Sequence, residues 1–532
     1  MEHLEIIVFG LLVAVAGLVL LADIARVPYP IFLVIGGLLL GFVPGVPEVV
    51  LAPDLVLLIF LPPLLYSAAF FSSLRDLRAN IRPIGLLSVG LVLLTTVVVA
   101  GVAHWVVGLP WAAAFVLGAI VSPTDPVAAN AIAERLGVPR RIVTVLEGES
   151  LINDGTALVL YRVAVGAVVY GAFSLAETGL RFVLGVLVGV AIGLAVGWMV
   201  ASVRRRLENP LVEITISMFT GYAAYIPAEE VGASGVLAAV AAGLYLNHHA
   251  PEIVSPRTRL QALAVWDVII FMLNSILFVL IGLQLPRIVE GLSEESPWIL
   301  LLYAAVVCLA VVGTRTVWVF PATYIPRRLS RRLRERDPSP PPQEVTVVAY
   351  AGMRGAVSLA AALALPLTVQ GGALFPGRDL IIFLTFCVIL VTLVLQGLSL
   401  PFLIRWLGLE DDHTEDREEI MARLQAAEAA LQRIEELSDE GWVREDTAER
   451  MRGLYDYRRR RFAALAAEGG FDEDGDHEDY EERSVAFQHL RRELLEAERS
   501  ALVRLRSEGK IGEGAMRRVE RDLDLEDQRL ET

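Results

Sequence analysis

The stretch Glu147-Gly148-Glu149-Ser150-Leu151-Ile152-Asn153-Asp154-Gly155 sets polar side chains into an otherwise apolar run. At about 100° per residue, Glu149, Ser150, Asn153 and Asp154 fall within an arc of about 140° on one helix face. Inside a bilayer each ionisable group costs roughly 2.5–3.5 kcal/mol on insertion scales, so such a stripe must face a partner helix or water. A second polar interruption is Ser122-Pro123-Thr124-Asp125-Pro126. Pro126 has no N–H to give the Ser122 carbonyl, and Pro123 breaks the preceding turn in the same way. Asp125 followed by Pro126 has the form of an N-cap and the first residue of a resumed helix. Freed carbonyls around Ser122 and Thr124, with hydroxyls and carboxylates, are oxygen ligands of the kind a hard cation takes. A plain proline kink capped by Asp125 is the alternative, and the Ser150/Asn153/Asp154 stripe argues against it. The third interruption is Gly352-Met353-Arg354-Gly355, holding the one arginine of its segment. A buried guanidinium needs an anion. Glu149 is the expected partner, as a structural salt bridge that leaves Asp154 for transported ions.

These groups need apolar elements to hold them. Of 532 residues, 55% are hydrophobic and 20% charged, with mean hydropathy +0.57, which places the chain among polytopic membrane proteins. The net charge of −15 resides wholly in residues 410–532, beyond a neutral body. An acidic tail excludes nucleic acid as a partner, since that needs a basic stripe. Cys308 and Cys387 lie in apolar runs, with neither disulfide nor metal spacing. The run after Met1-Glu2-His3 has no basic flank and reads as a first membrane helix rather than a cleaved signal.

Thirteen segments approach the ~20 apolar residues a spanning helix needs: 4–22, 29–43, 50–71, 83–107, 111–134, 147–170, 180–202, 210–227, 232–247, 262–285, 297–325, 344–368 and 379–405. Loops after odd-numbered segments hold eighteen arginines, among them Arg26, Arg82, Arg141 and the run Arg327 to Arg336. Loops after even-numbered segments hold only Arg181, Arg287 and Arg378. The positive-inside rule then puts the N-terminus outside and the tail in the cytoplasm. If the seventh segment is a linker, two inverted six-helix repeats remain, each broken in its fifth member (the fifth and twelfth helices of the chain). That pattern points to a secondary transporter with a midplane site. The expected fold is therefore an all-α polytopic membrane protein of about thirteen transmembrane helices, plus a cytoplasmic helical tail. Glu213, Asp267, Asn274, Arg162 and Arg315 are further polar groups within spans, expected to pair between helices or lie near an interface.

The three motifs, in order and each in its expected helix, resemble the signatures of the sodium/proton exchanger family (monovalent cation:proton antiporter-1, NhaP-like), over roughly residues 1–408. The ending Leu505–Glu526 is similar to that of a bacterial branch. The resemblance implies a homodimer of thirteen-helix protomers in the bacterial cell membrane, each with crossed, broken fifth and twelfth helices in a mobile core. It implies that Asp154 alternately carries cation and proton, and that Asp154, Thr124, Ser150 and Asp125 ligate the transported Na⁺, assisted by Asn153. Glu149–Arg354 would be the internal salt bridge. Many relatives have an acidic residue where this chain has Ser67, which removes one potential ligand.

The function expected is secondary active exchange of cytoplasmic Na⁺, or Li⁺ or K⁺, for external H⁺, with no cofactor. Asn153 beside a single Asp154, where electrogenic relatives usually have two adjacent aspartates, points to electroneutral one-for-one exchange. A cation channel or uniporter on the same broken helices is one rival, and a membrane ion sensor signalling through the tail is another. No nucleophile–base or metal signature suggests an enzyme. Residues 409–532 are expected to form a regulatory helical domain, with stripes Ile420/Leu424/Ala427/Leu431/Ile434 and Leu490/Leu494/Ala497/Ala501 around an acidic loop at Gly469–Asp476. That loop lacks the twelfth-position Glu of an EF-hand.

Overall fold

Long apolar runs in a bilayer can satisfy their backbone N–H and C=O groups internally only as helices or closed barrels. In a computed structural model of the chain the described residues are all-helical. They are 2–25, 28–43, 53–171, 175–284, 286, 288, 292, 296–409, 413–438, 440, 442–468, 477–508 and 510–531. Arg26, Arg287 and the acidic loop Gly469–Asp476 lie outside them, as do the side chains of Arg181 and Arg336.

Two units are present, Met1–Asp412 and His413–Thr532. The first contains α1 (Glu2–Ala25), α2 (Tyr29–Gly41), α3 (Pro53–Phe71), α4 (Ile81–Val107), α5 (Trp111–Val121), α6 (Val127–Leu136), α7 (Arg140–Tyr170) and α8 (Leu175–Arg204). It continues with α9 (Pro210–Glu230), α10 (Gly235–Ile253), α11 (Pro256–Leu283), α12 (Pro297–Leu329), α13 (Pro342–Tyr350), α14 (Ala356–Leu363) and α15 (Arg378–Trp406). Short helices Leu74–Ala79 and Arg331–Arg336 lie between longer ones. Among the described residues, α4, α7, α11, α12, α15 and Val183–Arg204 of α8 are long and apolar enough to cross a membrane. Both expected interruptions are present: residues 122–126 separate α5 from α6, and 351–355 separate α13 from α14.

Close helix approach depends on small residues, as expected where lipid supplies no hydrophobic drive for association. At the crossing of α2 and α11, a Cβ on Gly37 would stand 2.4 Å from the Val279 carbonyl oxygen, and one on Gly282 the same distance from that of Val34. Either substitution would force these backbones apart. A broad apolar core joins α2, α3, α5, α7, α12 and α15, and it encloses both breaks.

The tail unit contains α16 (Thr414–Ser438), α17 (Glu445–Glu468), α18 (His477–Ser507) and α19 (Glu513–Glu531), with α16 packed on α17 and α18 on α19. The stripe on α16 faces inward, with Ala427 buried. The one expected on α18 does not: Leu490 and Leu494 are exposed and Leu495 is buried, as are Met516 and Leu523 of α19. On a helix Leu495 stands about 100° from Leu494, so the buried row is the neighbouring one and not the 490/494 row.

Candidate ion-exchange site

The two breaks meet. The Asp125 N–H donates to the Met353 carbonyl at 2.8 Å, joining one interruption to the other. Around this point four helix ends converge: the C-terminal ends of α5 and α13, and the N-terminal ends of α6 and α14. The partial charges of such ends are about half an elementary charge each, positive at N-termini and negative at C-termini. The sequence answers both signs. Asp125 Oδ1 accepts from the Val127 N–H at 3.0 Å, capping α6. Its carboxylate also meets the N–H of Ala356 at the start of α14. Gly355 is required there, because a Cβ would come within 1.8 Å of Asp125 Oδ2.

Two arginines serve the C-terminal ends. Arg354, completely buried, donates from Nε to the Val121 carbonyl at 3.2 Å and from Nη1 to the Gly352 carbonyl. Its own N–H donates to Thr392 Oγ1 at 3.1 Å, in a π-helical stretch of α15. Arg315, from the middle of α12, donates from Nε and Nη2 to the Val348 carbonyl of α13 at 3.1 and 2.9 Å.

The expected Glu149–Arg354 salt bridge is therefore corrected. Glu149 is paired bidentately with Arg315: Nη1 meets Oε1, and Nη2 meets Oε2 at 2.8 Å, with both side chains almost fully buried. Arg354 makes its bonds to backbone carbonyls instead, because the broken ends of α5 and α13 offer concentrated negative potential at that place. The Val121 carbonyl, next to the break, is thereby taken by Arg354.

The rest of the Glu149 row forms a closed relay. Thr124 Oγ1 donates to Glu149 Oε1 at 2.9 Å, and Asn153 Nδ2 donates to Thr124 Oγ1 at 2.9 Å. Asn153 is fully buried, and its Oδ1 has no hydrogen-bond partner among the described residues. It holds Thr124 and does not reach the cavity lining.

That cavity, of about 300 Å³, lies between α3, α7, α11, the Pro123–Val127 segment and the start of α14. Thr124, Asp125, Ser150 and Asp154 line it, together with Ser67, Asn274 and Ser358. Asp154 and Ser150 are buried within the protein, 7% and 9% exposed, and neither side chain has a hydrogen bond among the described residues. Both therefore present free oxygens to the cavity. Ser67 Oγ back-bonds to the Leu64 carbonyl at 2.9 Å, at the position where relatives were expected to carry an acid. Glu147, which the motif includes but the expected site did not, lies at the same cavity and accepts from Asn130 Nδ2 at 3.1 Å.

Elsewhere the polar groups divide. Arg162 pairs with Glu229 and donates to the Ala233 carbonyl, and Glu213 accepts from Thr258 and faces Arg204 at 3.7 Å, as helix–helix pairs. Asn274 lines the ion cavity, and Asp267 is exposed on the surface of α11.

Crossed, interrupted helices with compensated ends, around a cavity holding an unpartnered carboxylate, define a secondary cation transporter. The model of the transmembrane sodium/hydrogen exchanger family matches residues 10–406. The chain is 39% identical over 536 residues to an uncharacterized Na⁺/H⁺ exchanger of Mycobacterium tuberculosis, covering 98% of this chain and 97% of that one. It is 36% identical to the low-affinity Na⁺/H⁺ antiporter NhaS1 of Synechocystis, covering 77% and 75%. It is 34% identical to a sodium, potassium, lithium and rubidium/H⁺ antiporter of Bacillus pumilus, covering 71% and 58%. The fold is similar to that of the sodium proton antiporter MjNhaP1 from Methanocaldococcus jannaschii, with TM-score 0.59 and 20% identity over 77% of this chain and all of that one. The chain belongs to the sodium/hydrogen exchanger family, a family of transporters and not of enzymes.

Proposed function

We propose that this chain exchanges Na⁺ for H⁺ across a bacterial cell membrane by alternating access, with Asp154 as the group that holds proton or cation in turn. The observation that carries this reading is the Asp154 carboxylate, buried and without a hydrogen bond among the described residues, opening with Ser150, Thr124 and Asp125 into a largely apolar cavity at the meeting of two broken helices. A bare carboxylate away from water is costly, so the site crosses the membrane loaded with one of its two ligands. Competition for one site then couples the fluxes. Ser150 and one oxygen of Asp125 complete the Na⁺ shell, with Thr124 positioned through Asn153 and Glu149 rather than free to ligate.

Among the described residues that line the cavity, Asp154 is the carboxylate without a hydrogen-bond partner. Glu149 is ion-paired, Asp125 caps the break and Glu147 accepts from Asn130, so each cycle replaces one proton by one monovalent cation at Asp154, and exchange is electroneutral. Thirteen spans in two inverted repeats, an outside N-terminus, a homodimer, residues 1–408 as the transport domain and a cytoplasmic regulatory tail at 409–532 complete the proposal. The test is proton movement in proteoliposomes on addition of Na⁺, Li⁺ or K⁺ under imposed potentials. One-for-one exchange predicts a reversal point set by the ion gradients alone; a reversal point that moves with potential rejects it.

A further inference from the structure

A second pocket lies apart from the ion cavity, where the first residues of α4, α7 and α13 meet the last turns of α12. Arg82, Arg141 and Arg327 line it together with Leu86, Leu87, Val145, Val319, Val345 and other apolar side chains. Asp337 serves two of the three guanidinium groups: Arg141 Nη2 meets Oδ1 at 2.8 Å, and Arg327 Nη2 meets Oδ2 at 2.5 Å. Arg327 is further held by the Thr323 and Asp337 carbonyls at 2.6 and 3.2 Å. Arg82 differs. Its Nη1 and Nη2 are both buried, and neither has a hydrogen-bond partner among the described residues.

A guanidinium fork buried without an acceptor is a costly arrangement unless an anion completes it, and a phosphate oxygen pair matches its geometry. Glu344 also lines the pocket, so three arginines stand against two carboxylates and one positive charge is in surplus. More arginines, Arg328, Arg331, Arg332 and Arg334, follow immediately on the α12 side. Basic clusters of this kind next to a membrane helix attract anionic headgroups. The pocket's own volume, about 60 Å³, suits one phosphate group and not a larger polar ligand. The apolar part of the lining suits the start of an acyl chain and offers nothing to a soluble anion.

We propose that Arg82, with Arg141 and Arg327 beside it, binds the phosphate of an anionic phospholipid from the adjoining leaflet. The site bears on the exchanger because Val345 and Val348 of its lining belong to α13, and the Val348 carbonyl is the one held by Arg315. A seated headgroup therefore fastens the first half of a broken helix to α4, α7 and α12. This inference does not depend on Asp154 being the carrier, and its readout is binding rather than exchange.

The experiment measures thermal unfolding of the full-length protein in detergent with added phosphatidylglycerol, phosphatidylcholine or inorganic phosphate. Two variants are compared with the unaltered chain: Arg82→Gln removes the fork, and Ala322→Phe fills the slot while keeping every arginine. Phosphatidylglycerol is expected to raise the unaltered chain's Tm by about 3 °C or more at saturation, and phosphatidylcholine to leave it unchanged. Both variants should lose at least half of that shift. An equal shift in all three proteins overturns the proposal. A full shift from inorganic phosphate alone overturns the lipid assignment, leaving a soluble anion as occupant. Should Arg82→Gln not fold, Ala322→Phe decides: an undiminished shift there overturns the site.

Discussion

Two neighbouring rows of α7 have the same spacing and opposite fates. Glu149 and Asn153 stand four residues apart, and so do Ser150 and Asp154, one position further on. The first row is locked: Glu149 is gripped by Arg315 and Thr124, and Asn153 is bonded to Thr124. The second row opens on the cavity and has no hydrogen bond among the described residues. One helix thus supplies both the strut and the working surface. What separates them is about 100° of rotation, which turns one row toward α12 and the other toward α3 and α11. The locked row should govern whether the protein stays folded, and the open row whether it exchanges ions.

The largest expected effect tests the strut. Arg315→Ala or Glu149→Ala leaves an opposite charge buried and should lower stability by about 3–5 kcal/mol, read as a depressed Tm in detergent. Replacing both residues by Met should recover much of that loss, since a buried pair is often dispensable when both charges go. Unaltered melting curves for both single variants would mean that the pair does not hold the crossing together.

Gly355→Ala strikes between the rows. Its Cβ would collide with the Asp125 carboxylate, which cannot move away without releasing the starts of α6 and α14. Exchange should fall on the order of 100-fold, as for a ligand displaced by about 1 Å. The check is Na⁺-driven proton flux at matched protein content.

Thr124→Val breaks the relay at its middle, leaving Glu149 short of one donor and Asn153 without its acceptor. The loss should be about 1–3 kcal/mol of stability. Chemical or thermal unfolding would reveal it, and a change in flux without a change in stability would move Thr124 to the open row. Ser150→Ala should do the converse. Its hydroxyl lines the cavity and has no hydrogen bond among the described residues, so Tm should stay put while the Na⁺ concentration for half-maximal exchange rises roughly threefold to tenfold.

Much of this contrast is legible in the sequence, and the remainder is not for identifiable reasons. Proline chemistry at Pro123 and Pro126 and the glycines around Arg354 mark the breaks locally, because backbone bonding is a local matter. The polar stripe at 149–154 follows from helical period. Which side of that stripe locks is a tertiary matter. Arg315 lies 166 residues from Glu149, in a helix whose neighbours give no spacing cue. The available signal was its isolation: a lone arginine in the middle of an apolar helix must find an acid. The charge of Arg354 points to a carboxylate in the sequence, whereas in the fold its acceptors are the neutral carbonyls of Val121 and Gly352 at the two breaks. The stripe on α18 shows the same limit, since period identifies a face but not which of two neighbouring rows is buried.

The central claim is that Asp154 alone in the crossing exchanges its ligand. Asp154→Asn keeps size and polarity but cannot take up and release a proton. Because Asp154 makes no hydrogen bond within the described protein, the variant should melt at or above the temperature of the unaltered chain. In proteoliposomes, Na⁺ pulses should then produce no proton movement by this variant, on either side of zero gradient. A folded Asp154→Asn protein that still couples Na⁺ entry to proton exit would contradict the account.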